Sequence, residues 1–162
     1  MIPYTAILFS ERQHFSRWWF LLGIEPIVIV LGLAVGGIVP WVAVLGVLGF
    51  ALIAPSLLVL SLLETVITSD EIRIRFRPFK WKWKVIPIGD IEKAFVRQYD
   101  PLGEYGGWGI KYAGKKEGWC YNARGKWGLQ LHFKGGKPLL IGTMKPDELK
   151  EVIATLVPSP TP

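Results

Sequence analysis

The chain has 162 residues and a formal net charge of +6; 51% of its residues are hydrophobic and only 20% are charged. This composition excludes a disordered chain, a collagen-like chain and a wholly soluble globule. A single cysteine, Cys120, and two histidines, His14 and His132, exclude a disulfide framework and a zinc site rich in Cys and His.

Residues 1–17 are predicted to form a cytoplasmic segment, and residues 18–63 are predicted to enter the membrane. Residues 26–63 contain no Asp, Glu, Lys, Arg or His. As one helix, the apolar stretch of about 46 residues would span about 69 Å, whereas the hydrocarbon core of a bilayer is only about 30 Å thick. Two spans joined by a tight turn fit this length, and we expect them at about 18–37 and 41–63.

The turn between the two spans is predicted at residues 36–40, Gly-Gly-Ile-Val-Pro, because paired glycines end a helix and proline suits the start of the next one. It carries no Lys or Arg, whereas Arg12, Arg17 and the residues from Arg73 onward flank the hairpin. By the positive-inside rule, both termini are expected in the cytoplasm and the protein in the inner membrane. A cleaved signal peptide is disfavoured because its apolar core is only about 7–15 residues long.

Two features of the first predicted span are candidates for function. Glu25 is the one ionisable residue of the hairpin, and intramembrane carboxylates are functional candidates, here as a ring in an oligomeric channel. The alternative is that Glu25 reaches the interface from a shallow position. Gly32 and Gly36 form a GxxxG pattern, which lets helix 1 approach helix 2 or another subunit closely.

Residues 64–157 are predicted to form a β-rich cytoplasmic domain, because short alternating segments are separated by Gly, Asn and Lys. The predicted strands cover residues 65–69, 71–77, 80–85, 91–99, 107–113, 118–123, 128–134 and 137–143. A final helix begins at Pro146 and carries apolar residues at helical spacing. The proline-rich tail, residues 158–162, is predicted to be disordered.

The order of elements predicts an α+β membrane protein: a transmembrane helical hairpin, then a PH-like β-barrel of about seven antiparallel strands capped by a C-terminal helix. Four sequence stretches resemble a family of small, uncharacterised prokaryotic membrane proteins that carry a two-helix hairpin and a domain similar to bacterial PH domains. These stretches cover residues 104–112 (EYGGWGIKY), 121–131, 135–143 and 146–149, with a further similarity at 9–15 (FSERQHF). The resemblance implies an architecture and no activity.

The most informative candidate site is a basic β-hairpin. If Pro78-Phe79 is a two-residue turn, three Arg–Lys pairs face each other on one side of the sheet. Direct like-charge pairs are destabilising, and an external anion such as a lipid headgroup would relieve that cost. The alternative is a solvated outer face. The residues of this proposed lipid or anion site are Arg73, Arg75, Arg77, Lys80, Lys82 and Lys84.

A glycine-rich loop, residues 103–109, is the second candidate. Its spacing matches neither a dinucleotide-binding loop nor a phosphate-binding P-loop. One hypothesis is a partner-binding loop at Tyr105, Gly106, Gly107 and Trp108; the alternative is a bulged hairpin in which glycine serves backbone geometry.

The sequence contains no evident catalytic triad, carboxylate pair or metal cluster. Cys120 is interpreted as a small packed residue, and His132 is expected to face away from the core. The prediction is therefore a membrane-anchored, non-enzymatic interaction module that binds a protein partner or an anionic lipid surface, without a cofactor and without nucleic acid. The alternatives are an oligomeric channel or transport accessory subunit that uses Glu25, and an enzyme that uses the glycine-rich loop and Cys120.

Overall fold

A computed structural model describes residues 6–15, 21 and 24–157. Residues 1–5 and 16–17 of the predicted N-terminal segment, residues 18–20 and 22–23 of the first predicted span, and the predicted tail at 158–162 lie outside the described residues. The chain has an α+β fold that divides into two units. Residues 14–61 form a helical unit, and the flanking N- and C-terminal parts together form a β unit.

The described residues contain nine strands and five helices. The strands are β1 (Ile7–His14), β2 (Leu62–Thr68), β3 (Glu71–Arg77), β4 (Lys80–Pro87), β5 (Ile91–Gln98), β6 (Gly109–Tyr112), β7 (Trp119–Asn122), β8 (Trp127–Phe133) and β9 (Leu139–Thr143). The helices are α1 (Ile24–Val35), α2 (Trp41–Val59), α3 (Pro101–Tyr105), α4 (Gly114–Glu117) and α5 (Pro146–Leu156).

The helical unit consists of α1 and α2, which pack through Val30, Ala34 and Val44. The predicted turn between them is confirmed: Gly37 has a φ of +70°, and its backbone N–H donates to the carbonyl of Ala34. α2 ends at Val59, four residues earlier than predicted, because the chain has already become β2 at residue 62.

Of the described helices, only α2 is long and apolar enough to cross a membrane, with 19 residues and a mean hydropathy of 2.5. The described part of the first predicted span, α1, has 12 residues and is a shorter apolar helix. Gly32 does not bring the two helices together, since a Cβ atom placed on it would meet nothing within 4 Å. The GxxxG pattern therefore remains a hypothesis only for contact with another subunit.

A four-stranded sheet, ordered β1-β2-β3-β4, contains a strand that the sequence did not predict. β1 lies within the segment interpreted as a separate N-terminal piece. Its inward residues, Phe9, Glu11 and Gln13, are buried. Gln13 Nε2 donates to the carbonyl of Gly142 at 2.6 Å, which ties β1 to the other sheet of the unit.

The second sheet has the order β5-β8-β9-β7-β6, and in it β7 and β9 run parallel. The prediction of a single closed barrel of about seven antiparallel strands is therefore wrong: the described strands form two separate sheets. β9 lies between β7 and β8 in the sheet. β7 and β8 are therefore not hydrogen-bonded to each other, although they are neighbours in the sequence. The predicted C-terminal helix is confirmed as α5, which buries Leu149 and Ile153 and packs on β5 and β8.

The Glu11→Ala substitution tests whether β1 is an integral strand of the β unit. The buried Glu11 carboxylate accepts hydrogen bonds from Thr143 Oγ1 at 2.7 Å and from the Met144 backbone N–H at 2.8 Å. Its removal leaves both donors unsatisfied, and we expect a destabilisation of about 2–3 kcal/mol. Thermal unfolding of the full chain in detergent, followed by circular dichroism, measures it. The control is Ser10→Ala at an exposed position of the same strand; equal effects of the two substitutions would contradict a structural role for β1.

Candidate functional site

The predicted basic hairpin exists as β3 and β4, but its predicted register is wrong. Phe76 pairs with Lys80 across a three-residue connection, where the sequence analysis assumed a two-residue turn. A shift of one residue moves every side chain of a strand to the other face. The register shifts again at an irregularity between Ile74 and Phe76. Beyond it, Ile74 pairs with Lys84 and Arg73 pairs with Val85.

The register separates the six basic residues instead of placing them in one ladder. Arg73 and Arg75 share the outer face with Val85 and Trp83, whereas Lys80 and Lys84 oppose the buried residues of β3 on the face towards the second sheet. Like charges are therefore not paired directly across the strands. This arrangement avoids the destabilisation that the predicted ladder would have carried.

The arginines of the outer face are organised by one carboxylate. Glu64 on β2 is only 4% exposed in its side chain, and three guanidinium groups surround it. Arg75 Nε donates to Glu64 Oε2 at 2.7 Å; Arg77 Nε lies 3.3 Å from the same oxygen and Arg12 Nε 3.3 Å from Oε1. We call these four residues the Glu64 cluster. It carries a net charge of +2, from three guanidinium groups and one carboxylate.

Two further contacts fix the neighbouring side chains of this face. Arg73 pairs with Glu71 on its own strand. The guanidinium carbon of Arg75 lies 4.3 Å from the ring centroid of Trp83, a cation–π contact between β3 and β4. The three predicted arginines are thus all engaged with carboxylates, and Arg75 also with an aromatic ring.

β4 forms the free edge of the four-stranded sheet, and its first six residues are all exposed. They alternate Lys80, Trp81, Lys82, Trp83, Lys84 and Val85. Trp81 is 67% exposed, and Phe79 in the preceding turn is 53% exposed. We call residues 79–85 the β4 edge. Large exposed aromatic residues next to lysines are unusual on a surface that faces only water.

The glycine-rich loop is a helix end followed by a short strand, and the bulged-hairpin interpretation is wrong. Residues 101–105 form α3, and Gly106 ends it in a left-handed conformation with a φ of +68°. The N–H of Gly106 donates to the carbonyl of Leu102, and the N–H of Gly107 donates to that of Pro101, which is the hydrogen-bond pattern of a helix C-cap. These glycines therefore have a backbone role.

The side chains of this loop are only partly available to a partner. Tyr105 is buried, its ring packs edge-on against Tyr99 at 5.9 Å, and burial raises its pKa to about 12. Trp108 is partly buried. The hypothesis of a partner-binding loop gains no support from this geometry, although the residues do lie together as predicted.

A polar network that the sequence did not reveal lies on the second sheet. Arg97 on β5 makes two hydrogen bonds to the carboxylate of Glu104 on α3, at 3.1 and 2.6 Å, and Arg97 Nε donates to Gln130 Oε1 on β8 at 3.2 Å. The hydrogen bond to Arg97 holds the pKa of Glu104 below its ordinary value. No local pattern could have identified this network, because its members come from three separate elements.

Cys120 lies in the core of the β unit, as the sequence analysis interpreted it. It packs with Tyr99, Tyr105 and Leu140, and burial raises the pKa of its thiol. His132 is partly exposed and stacks on Phe95 with ring centroids 5.9 Å apart. Within the part of the chain that the structure describes, no group of three or more His, Cys, Asp and Glu side chains forms a metal site.

Glu25 lies in the first turn of α1 and is exposed. A carboxylate in the first turn interacts favourably with the positive end of the helix dipole. In the described residues Glu25 is thus close to the beginning of a helix, which agrees better with a shallow position than with the middle of a span.

Comparison with protein-family models finds no match, and comparison with curated protein sequences finds none either.

Replacing Glu64 tests whether this carboxylate organises the arginines. Glu64→Gln leaves three guanidinium groups around a neutral, buried side chain, and we expect a destabilisation of about 3 kcal/mol. The control is Glu71→Gln, which breaks one more exposed pair and should cost about 1 kcal/mol or less. Thermal unfolding in detergent measures both. A cost for Glu64→Gln no larger than that of the control would show that the cluster does not depend on this carboxylate.

The thiol of Cys120 is expected to resist alkylation in the folded protein. It is fully buried, and burial disfavours the thiolate that reacts. Mass spectrometry after maleimide treatment at neutral pH should find no adduct until the protein is unfolded. A Met144→Cys variant, with a thiol at an exposed position, serves as the positive control. Rapid modification of Cys120 in the folded wild-type chain would revive the enzyme hypothesis.

Proposed function

We propose that the protein is a membrane-anchored, non-enzymatic interaction module whose β unit docks on an anionic lipid surface through the β4 edge. One observation carries the proposal: residues 80–85 are exposed on both faces of an edge strand and alternate lysine with apolar residues, mostly tryptophan. Tryptophan prefers the boundary between water and hydrocarbon. Each lysine near an anionic surface contributes about 1 kcal/mol to binding.

The Glu64 cluster supports this assignment with additional positive charge. Arg12 is 74% exposed although it lies beside Glu64, so its guanidinium group remains available to headgroup phosphates. Arg73, Arg75 and Arg77 contribute to the field of the same face while their carboxylate partners hold them in place. Of the six predicted residues, Lys80 and Lys82 are therefore the main lipid contacts, and the arginines have a supporting role.

The topology of the β unit supports a hairpin anchor. β1 and β2 are neighbours in one sheet, and the chain between them contains α1 and α2. A segment that leaves and re-enters the same sheet crosses a membrane an even number of times. This favours two crossings, with α2 as one span and the segment that contains α1 as the other, and it supports a position of both flanks on one side.

The basic flanks support the further proposal that both termini lie in the cytoplasm and the protein in the inner membrane. The two sheets and the final helix are also compatible with a divergent, open relative of bacterial PH domains, as the sequence resemblance suggests. No observation on the described residues favours a channel that uses Glu25, so the interaction module is the better proposal.

The test uses the full chain in lipid vesicles with a spin label at Val85→Cys, an exposed position of the β4 edge. We expect label collisions with lipid-soluble oxygen to increase, and collisions with a water-soluble nickel chelate to decrease, when anionic lipid is added to zwitterionic vesicles. A label at Leu102→Cys, exposed on α3, should not respond. The native Cys120 is retained because its thiol is buried.

The charge dependence has a matched control. Lys80→Gln with Lys82→Gln should abolish the response of the label, whereas Lys115→Gln with Lys116→Gln removes the same charge from α4 and should leave it intact. High salt should weaken the response, since exposed charges are screened. If the label at position 85 stays as accessible to water as the one at position 102 in every vesicle, lipid docking is wrong and a protein partner becomes the candidate for this surface.

A further inference from the structure

A cavity of about 460 Å³ lies within the β unit, between the C-terminal half of β4 and the turn that joins β8 to β9. Apolar side chains form part of its wall, and two lysines and one aspartate contribute the charges. The lining residues used below are Lys84, Ile86, Asp90, Phe133 and Lys134. Its volume is in the range of small-molecule sites in proteins.

Lys84 brings positive charge to this open cavity. It occupies a position on the inner face of β4, opposite the buried Ile74. Its ammonium group lies 5.8 Å from the ring centroid of Tyr121 on the second sheet, and Tyr121 is buried. Lys84 is an exposed residue whose ammonium group faces an aromatic ring of the second sheet.

The positive charge in this cavity has no internal partner. Among the described residues, neither Lys84 nor Lys134 forms an ion pair, although Asp90 lines the same space. Burial, and secondarily the charge of Lys80, lower the pKa of Lys84. An anion in the cavity would relieve both effects. The arginines of the outer face differ in this respect, since each of them has a carboxylate nearby.

We infer that this cavity is a binding site for a small organic phosphate monoester, with its phosphate between Lys84 and Lys134 and its carbon part against Ile86 and Phe133. A phosphate dianion matches the two ammonium groups, and lysine is a common phosphate ligand. The site shares Lys84 with the β4 edge, but it is tested with soluble probes in neutral detergent, so its failure is distinguishable from a failure of lipid docking. The ligand is a free metabolite or the headgroup of a phosphomonoester lipid, which present the same chemistry.

The test measures binding to the full chain in a neutral detergent by titration calorimetry, with inorganic phosphate and glycerol 3-phosphate as probes. We expect saturable binding, tighter for glycerol 3-phosphate because it adds apolar contact. Lys84→Gln should raise the dissociation constant about tenfold, the effect of losing one charged hydrogen bond. Lys115→Gln, an equal change of charge on α4, should leave it unchanged. The amide NMR signals of Gly135 and Gly136, which line the cavity, should shift on binding.

An Asp90→Asn variant gives a result that misfolding cannot imitate. Removal of this carboxylate from the lining should tighten phosphate binding several-fold, because it removes repulsion from the dianion. The backbone carbonyl of residue 90, which accepts from the N–H of Lys134 at 3.2 Å, is unaffected. The absence of saturable binding, or equal effects of Lys84→Gln and Lys115→Gln, would overturn the proposal.

The two sources of the ligand are distinguished with phosphatidic acid. If detergent micelles that contain it prevent the binding of glycerol 3-phosphate in the wild-type chain, and do so less in Lys84→Gln, the lipid headgroup enters the same cavity. If glycerol 3-phosphate binds equally well in its presence, the ligand is a soluble phosphate monoester. A failure of the spin-label experiment would bear only on the β4 edge.

Discussion

The pairing of β1 with β2 is the constraint on which the rest of this structure depends. These strands lie at opposite ends of the apolar segment in the chain but side by side in one sheet. The segment must therefore return to the place from which it leaves, whatever path it takes between. β1 supplies Arg12 to the Glu64 cluster, and it supplies Glu11 and Gln13 to the contacts with β9. The return of the apolar segment and the Glu64 cluster thus both depend on β1.

The positive charges of the β unit divide into two classes with different physical roles. Around Glu64, guanidinium groups compensate a buried carboxylate, which would otherwise destabilise the fold. Arginine suits this role because its planar group forms several hydrogen bonds in fixed directions. Lys80, Lys82 and Lys84 have no carboxylate partner among the described residues. The proposals above assign these lysines, and not the arginines, to ligands outside the chain, a division that a count of basic residues alone does not reveal.

Local patterns predicted the elements well where apolar periodicity was strong. The alternation in β3, the turn at Gly37 and the stripe of α5 all identified their elements correctly. β1 was missed because its inward positions include Glu11 and Gln13, so the period of two is not an apolar one. Buried polar residues of this kind depend on partners far along the chain, here Gly142 and Thr143, which no window of sequence contains.

Pairing was harder to predict than strand position. The parallel contact of β7 with β9 brings together strands that β8 separates in the chain, and a search for hairpins favours only neighbours. The candidate site depended on an even smaller detail, the length of one turn. With two residues in the connection, arginines and lysines would share a face; with three, they do not. The positions of the basic residues on two paired strands were thus predictable. Their division between the Glu64 cluster and the cavity that Lys84 lines was not.

The β4 edge presents a general problem of sheet proteins, since an exposed edge strand with large apolar residues is open to pairing with another chain. Its lysines oppose that outcome. An antiparallel copy of the same strand would bring lysines near lysines, and like charges in direct opposition destabilise a sheet. The tryptophans still have exposed apolar area, and the charge that prevents self-association is the charge that an anionic surface attracts. A bilayer satisfies both features at once, because it offers a boundary for the indole rings and phosphates for the lysines. For this reason we propose the lipid surface, rather than a second copy of the chain, as the occupant of this edge.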